Sequence, residues 1–387
     1  MTQENMTQQN TTQQKKLQSR VCEILEIDRP IVLAGMGGAS GPALAAAVSN
    51  AGGLGVLGAA GCGPKQLREW VRQTREMTDK PFGVDTLLPA SVRRASYDDS
   101  DGPTPADLLP ERKAFAEEFM RQQGIDPLEA EARQRGQDPD EPALFTKEFF
   151  EAQMDVIIQE RVPVYASGLG NPGPWMSELR ANGTKVMAVV GAVRHAIQVK
   201  SSGLDIIVAQ GHDGGGHNSP VGTMALIPQV VDAVGDTPVL GAGGISDGRG
   251  VAAALMLGAE GVWVGSAFLA SEEASIFDFQ KQAIVDATEE GTSVSRTVTG
   301  KPARIIRSKW TEHWVREDVE PLPMPYQGMI SGPVMAAANR DGRGDINPGF
   351  AGQGIGMIKA VRPAKEIFDE LVFGAEQALA GTTNLLG

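Results

Sequence analysis

The stretch 204–219, LDIIVAQGHDGGGHNS, decides how this chain is read. It opens on an apolar run, Ile206 to Ala209, of the kind that forms a strand buried on both faces. The run stops at Gln210. Gly211, Gly214, Gly215 and Gly216 follow, with His212 and His217 interleaved. Three consecutive glycines lose much backbone entropy on folding, so a chain keeps them where its backbone turns sharply or lies close against a ligand. The plain alternative is a glycine-rich loop carrying two solvated imidazoles, since glycine punctuates loops. The pattern on either side weighs against that alternative.

Working outward, further apolar runs lie upstream at 185–190, 162–167, 82–88, 54–60 and 31–34, and downstream at 238–241 and 262–269. Helix-length segments separate the later runs, at 173–182, 192–202, 222–235 and 247–258. A polar helix is expected over 64–77, and another from 147. Eight strand–helix alternations predict an α/β fold, a TIM-type (β/α)8 barrel. An open doubly wound sheet is the competitor. The barrel is preferred because glycine-rich breaks recur at the C-terminal ends of strands, where barrel sites are built.

Two segments stand outside the alternation. Residues 98–141 hold 13 Asp and Glu against 5 Lys and Arg, with five prolines. This acidic insertion after the third strand predicts helices around 110–123 and 127–135. It is either a solvated excursion or a lid, because a loop after a barrel strand lies at the active-site end. After Ala270 the strand pattern stops. Helices are expected over 271–290, 333–340 and 363–380, with a Pro- and Gly-rich stretch at 318–333. The expected organisation is a disordered tail at 1–16, the barrel over 17–270 and a smaller, mainly helical cap over 271–350. The segment 351–387 then returns to the barrel.

Composition narrows the partners. With 48 Asp and Glu against 35 Lys and Arg, the 387-residue chain carries a net charge of −13, which argues against nucleic acid and against an anionic membrane. Its 41% hydrophobic content supplies a substantial core. No run reaches the length of a membrane span. The start of the chain lacks the apolar stretch of a signal peptide. Two cysteines, Cys22 and Cys62, make neither a disulfide framework nor a zinc site and fit a reducing cytoplasm. No metal site is expected.

Three more glycine clusters sit at strand ends: Gly35-Met36-Gly37-Gly38 after the first, Gly241-Ala242-Gly243-Gly244 after the seventh, and Gly265-Ser266 within the eighth run. Backbone amides at the ends of strands seven and eight form the usual phosphate cradle of a barrel. Such a cradle needs no basic residue where a helix N-terminus faces the anion. These glycines would otherwise serve only to allow tight turns. Together they point to a phosphorylated cofactor.

At this point the residues resemble a family. PIVLAGMGGAS with VSNAGGLGVLGAAG, KPFGVD at 80–85, VAQGHDGGGH at 208–217, PVLGAGGISDGRGVAAALMLGAEGVWVGSAFL at 238–269 and FAGQGIGMI at 350–358 are similar to the nitronate monooxygenase family. That family, formerly the 2-nitropropane dioxygenases, also contains flavin-dependent enoyl-acyl-carrier-protein reductases. The resemblance implies non-covalent FMN at the barrel mouth. Its phosphate would lie on Gly243, Gly244, Gly265 and Ser266. Its ring would pack near Gly35, Met36 and Gly37, with Gln210 and Gly211 at its edge and Gly216 in the adjoining loop. His217 matches the histidine that ends the family's glycine motif and faces the flavin. An imidazole there can take a proton from carbon beside a nitro group, or hold a substrate oxyanion. His212 falls at a variable position, and His195 lies in the helix after strand five. His313, in KWTEHW, either lines the site or packs on Trp310 and Trp314. The family often carries Asn at the position of Asp85, and a carboxylate there changes the hydrogen bonding of the flavin edge.

Three functions follow as expectations. The first is FMN-dependent oxidation of small alkyl nitronates with O2 to a carbonyl compound and nitrite. The second keeps the flavin and moves hydride between NAD(P)H and an acyl-CoA or acyl-carrier-protein thioester, which the insertion and cap would help to cover. The third is a non-catalytic barrel that binds a phosphorylated metabolite. In each the partner is a small molecule, and a homodimer is compatible with all three.

Overall fold

The computed structural model describes residues 16–88, 104–126, 141–144 and 146–382. Residues 1–15 of the expected tail at 1–16 and the expected helix at 127–135 lie outside them. Eight parallel strands build the barrel: β1 Ile31–Leu33, β2 Gly55–Gly58, β3 Phe82–Leu87, β4 Val164–Leu169, β5 Lys185–Val190, β6 Ile206–Gln210, β8 Val239–Ala242 and β9 Gly261–Val264. They run in the order β1-β9-β8-β6-β5-β4-β3-β2. The ends of the sheet meet, because the Leu33 amide donates to Leu54 O at 2.8 Å and the Leu54 amide to Ile31 O at 3.1 Å. This closes a TIM barrel rather than leaving an open sheet.

Strand alternation sorts the side chains. Ile206 and Val208 point inward with Val32, Val56, Val164, Met187, Leu240 and Trp263. Ile207 and Ala209 point outward beneath the helices. Being buried on both faces is why these runs read as continuous apolar segments. The floor is closed by α1, Arg20–Leu25, which inserts Val21 and Leu25 into the inner core.

The crossover helices follow the expected segments: α2 Pro42–Asn50, α3 Pro64–Met77, α5 Lys147–Gln159, α6 Met176–Ala181, α7 Val193–Lys200, α8 Thr223–Val234 and α9 Gly248–Met256. In α3, proline occupies the first turn and Leu67, Val71 and Thr74 form the buried stripe. The eighth run is shorter than its apolar length suggests. Its strand stops at Val264, and after Gly265 the residues Ser266–Leu269 form a short helix, α10. Long apolar runs do not separate strand from buried helix.

Between β3 and α5 lies α4, Pro105–Gln122, longer than the helix expected at 110–123. Thr104 caps it reciprocally with Asp107: the Thr104 amide donates to Asp107 Oδ2 at 2.8 Å, and Thr104 Oγ1 accepts from the Asp107 amide at 3.3 Å. Beyond the barrel come α11 Asp278–Asp286, α12 Lys309–Arg316, α13 Tyr326–Arg340 and α14 Ala364–Gly381. Helix α11 covers only part of the expected 271–290. Helix α13 begins inside the Pro- and Gly-rich stretch and carries Pro333 within it. The helical C-terminal region also contains strands that the sequence pattern does not announce. β10 Thr292–Ser295 and β11 Ala303–Ile306 form an antiparallel pair, and β11 pairs in turn with β7, Gly216–His217. Four-residue segments such as TSVS are too short to show a period.

Insertion and cap share a core of their own. Phe119 and Met120 of α4 pack with Trp310, Trp314, Ile330 and Val334. Phe119 meets the Trp310 ring edge-on at 5.1 Å, and Phe115 meets Trp314 at 4.9 Å. Helix α14 returns to the barrel wall: a Cβ at Gly248 of α9 would fall 2.3 Å from Ala375 N, so α9 and α14 cross backbone to backbone.

Candidate active site

The C-terminal ends of the strands surround a cavity of about 640 Å³, within the range of cofactor and ligand sites. Around its wall lie Gly35, Met36 and Gly37 after β1, Asp85 in β3, and Gln210 at the end of β6. Gly216 and His217 enter from the glycine loop, and Gly243, Gly244, Gly265 and Ser266 from the ends of β8 and β9. Gly211 is not on this wall. A Cβ there would fall 2.3 Å from Thr223 Cα, so its missing side chain lets α8 approach β6.

The cradle is held from behind. Gly243 and Gly244 adopt φ of +103° and +72°, which L side chains rarely reach. Their neighbour Asp213 is turned to the start of α8, where its Oδ2 accepts from the Thr223 amide at 2.8 Å. The segment 350–358 backs the loop: Gly352 N donates to Ser266 Oγ at 2.8 Å, and Gln353 N to Asp213 O at 2.9 Å. A Cβ at Gly215 would fall 2.8 Å from Ala351 C. Glycine-bounded walls with amides at the ends of β8 and β9 fit a phosphate-bearing ligand laid across the mouth.

His217 sits in β7, where the cap hairpin fixes its backbone in register with Ala303. Gln210 Nε2 donates to His217 O at 3.0 Å. Its ring Nε2 lies 2.9 Å from Thr299 Oγ1. The Thr299 hydroxyl donates to Lys301 O at 3.2 Å, which assigns the ring proton to Nε2 and leaves Nδ1 with the lone pair. Burial, aided by the charge of Lys301, lowers the imidazole to about 4. His217 is therefore neutral near pH 7.

The other histidines separate by location. The His212 ring lies 2.9 Å from Ser219 O, and its carbonyl accepts from Arg304 Nη2 at 3.1 Å and from Asn218 Nδ2 at 3.0 Å. It ties the loop together. His195 is exposed on α7. His313 is buried in the cap, stacked on Phe115 at 4.5 Å, with Nδ1 2.9 Å from Arg316 Nη2. It does not reach the cavity, and it packs on the insertion helix as well as beside the tryptophans.

Arg304, Thr299 and Lys301 carry no signal in the sequence. Arg304 is buried in β11, where it bonds the His212 carbonyl and Thr292 Oγ1. A basic residue in a four-residue strand looks like surface until the pairing with β7 is known. Gly168 is equally silent and forms one side of the pocket around Asp85.

Comparison with known proteins places this geometry among relatives. The family described as nitronate monooxygenase matches residues 18–374. A Mycobacterium tuberculosis protein with a provisional monooxygenase name, Rv1533, is 38% identical over 366 residues, covering 92% of this chain and 96% of that protein. A Staphylococcus aureus protein provisionally named a nitronate monooxygenase is 31% identical over 368 residues, with the same coverage of 92% and 96%. Among solved structures, a nitroalkane oxidase from Streptomyces ansochromogenes superposes with a TM-score of 0.77 at 28% identity, covering 94% of this chain and 99% of that one. FabK from Thermotoga maritima superposes with a TM-score of 0.72 at 30% identity, covering 95% and 99%.

Proposed function

Because the chain belongs to the nitronate monooxygenase family, we propose that it is an FMN-dependent oxidoreductase acting on alkyl nitronates, with O2 as oxidant and a carbonyl compound and nitrite as products. The observation that carries this reading is the neutral His217 imidazole on the wall of the glycine-lined cavity at the barrel mouth. A base lowered to about 4 is poorly matched to removing a proton from carbon at neutral pH. A nitronate arrives with that proton already gone. Its charge is favoured by Lys301, whose field already acts on His217. Bound FMN would supply one-electron chemistry with substrate and oxygen. The protein's part is to hold the phosphate on the amides of Gly243, Gly244, Gly265 and Ser266. It also sets the ring against Gly35–Gly37 and places His217 Nδ1 at the substrate.

A second reading, hydride transfer between NAD(P)H and an acyl thioester, draws on the outer cavity wall. Leu269, Ile276, Phe277, Ile284 and Phe350 make it apolar, which suits an acyl chain. Anaerobic titration of the FMN-loaded protein separates the two. Bleaching of the flavin by an alkyl nitronate supports the first, whereas bleaching by NAD(P)H with reoxidation by an enoyl thioester supports the second. Gly243→Asp should abolish FMN retention, because a carboxylate would face the phosphate. Full retention in that variant would move the phosphate elsewhere.

A further inference from the structure

Among the described residues Asp85 is the one carboxyl on the cavity wall, and its surroundings are unusual for an anion. It is 8% exposed. A Cβ built on Gly35 would fall 2.2 Å from Asp85 Cβ, and one built on Gly168 would fall 2.5 Å from its Oδ1. The side chain thus fills the space left by two missing side chains, wedged between the loop after β1 and the end of β4. Oδ1 is sealed from solvent and accepts no hydrogen bond among the described residues. That leaves Oδ2 as the oxygen to meet a ligand in the cavity.

Among the described residues no cation compensates it there. Its ladder neighbours are Gly58 in β2 and Ala166 in β4, and the loop above brings Gly35 and Met36. The titratable side chain that feels its charge is Tyr165, which lies among the outward core residues with its hydroxyl 3.1 Å from Thr86 Oγ1 and which burial holds protonated. Burial pushes the Asp85 carboxyl well above its ordinary range, opposed only by the Gly168 amide among the described residues. A buried carboxyl with no cation beside it and a single backbone amide to offset its desolvation protonates instead.

We propose that Asp85 is held as a neutral carboxylic acid whose hydroxyl donates a hydrogen bond to an acceptor atom on the ring edge of the bound cofactor. The proposal rests on the flavin reading of the cavity for its acceptor. The protonation itself does not. A neutral acid offers a donor and an acceptor together, as an amide does, without placing a negative charge beside a ring that gains electrons or beside an anionic substrate.

Two measurements on wild type, Asp85→Asn and Asp85→Leu test it. The first is thermal unfolding of the cofactor-free proteins from about pH 5 to about pH 9, a range well above the ordinary Asp value of about 3.9. With its native value raised, Asp85 binds a proton in the folded chain that the unfolded chain has released. Its contribution is complete below the ordinary value and is lost as pH rises toward the raised one. Asp85→Asn should therefore have the higher Tm, by a margin that widens with pH. A constant margin, or an Asn variant less stable at high pH, would mean an ionised, partnered Asp85 and would overturn the proposal. The second is the Kd for FMN over the same range. Wild type and Asp85→Asn should agree within a few-fold near neutrality. The wild type should then weaken toward tenfold per pH unit as the acid ionises, while the Asn variant stays flat. Asp85→Leu, which has neither donor nor acceptor, should bind at least tenfold more weakly at every pH. Equal, pH-independent Kd values in all three would remove the donor role. Failure of wild type to bind FMN at any pH would overturn the flavin reading and the donor role with it, leaving the Tm series to decide the protonation alone.

Discussion

At the scale of a single residue, the position of His217 fixes what it can be asked to do. Its Nε2 is committed to Thr299 and its Nδ1 is the lone-pair nitrogen. With its basicity lowered to about 4 it is a weak base, so His217→Ala should lose no more than about 10²-fold in turnover on a neutral nitroalkane, the low end of a general-base contribution. It should keep most of its turnover on a pre-ionised nitronate, with FMN content unchanged. Equal losses on both forms would make His217 a binding group rather than a base. The same residue affects stability at acid pH. Its folded value of about 4 lies below the ordinary 6.5, so the unfolded chain takes up a proton between those values and the folded chain does not. Stability therefore falls as pH drops through that window, by up to roughly 3 kcal/mol at 1.36 kcal/mol per pH unit. His217→Gln should flatten the decline, read as denaturant midpoint against pH. A variant that declines as steeply as wild type would place the acid-sensitive group elsewhere.

Among the elements, α4 has a consequence for stability because it packs on the cap. It contributes Phe119 to the core shared with α12 and α13, and the ring is 1% exposed. Phe119→Ala should cost about 3–5 kcal/mol, the range for a buried phenylalanine. The change should appear first in the fluorescence of Trp310 and Trp314 during denaturant unfolding. A cost below about 1 kcal/mol would reduce α4 to ornament. The insertion shows what a sequence discloses and what it withholds. Barrel strands were legible because burial on both faces leaves an unbroken apolar run, as in Ile206–Gln210. The glycine clusters were legible because close backbone approach excludes side chains. The hairpin of β10 and β11 was not legible, since its pairing with β7 spans about ninety residues and each segment is four residues or fewer. Arg304 and Thr299 became readable as loop and imidazole partners once that pairing was known. Gly211 shows the opposite limit: a glycine next to a ligand motif and a glycine under a helix look alike in one dimension.

Across the whole molecule, the net charge of −13 acts on any anion that approaches. Lys301 attracts locally, but the long-range field is repulsive and is screened by salt. The kcat/KM for an anionic nitronate should rise between low and physiological ionic strength, while that for a neutral nitroalkane should not. A fall with salt would show that the mouth carries a local positive field strong enough to dominate. Closure of the barrel has a further consequence, one that concerns synthesis on the ribosome. Ile31 to Leu33 find their ladder partners at Val262 to Val264, and Ser19 and Arg20 hydrogen-bond to Glu260. A nascent chain that has not yet delivered β9 holds β1 as an open strand edge and α1 as a plug with an incomplete barrel to fill. Long-range pairing of this kind makes folding slow and leaves the early chain exposed to association. Stalled chains ending before residue 255 should be cut by protease near their first strand. Chains extended far enough for Val264 to clear the exit tunnel should become resistant there, as the last barrel strand emerges and captures the first.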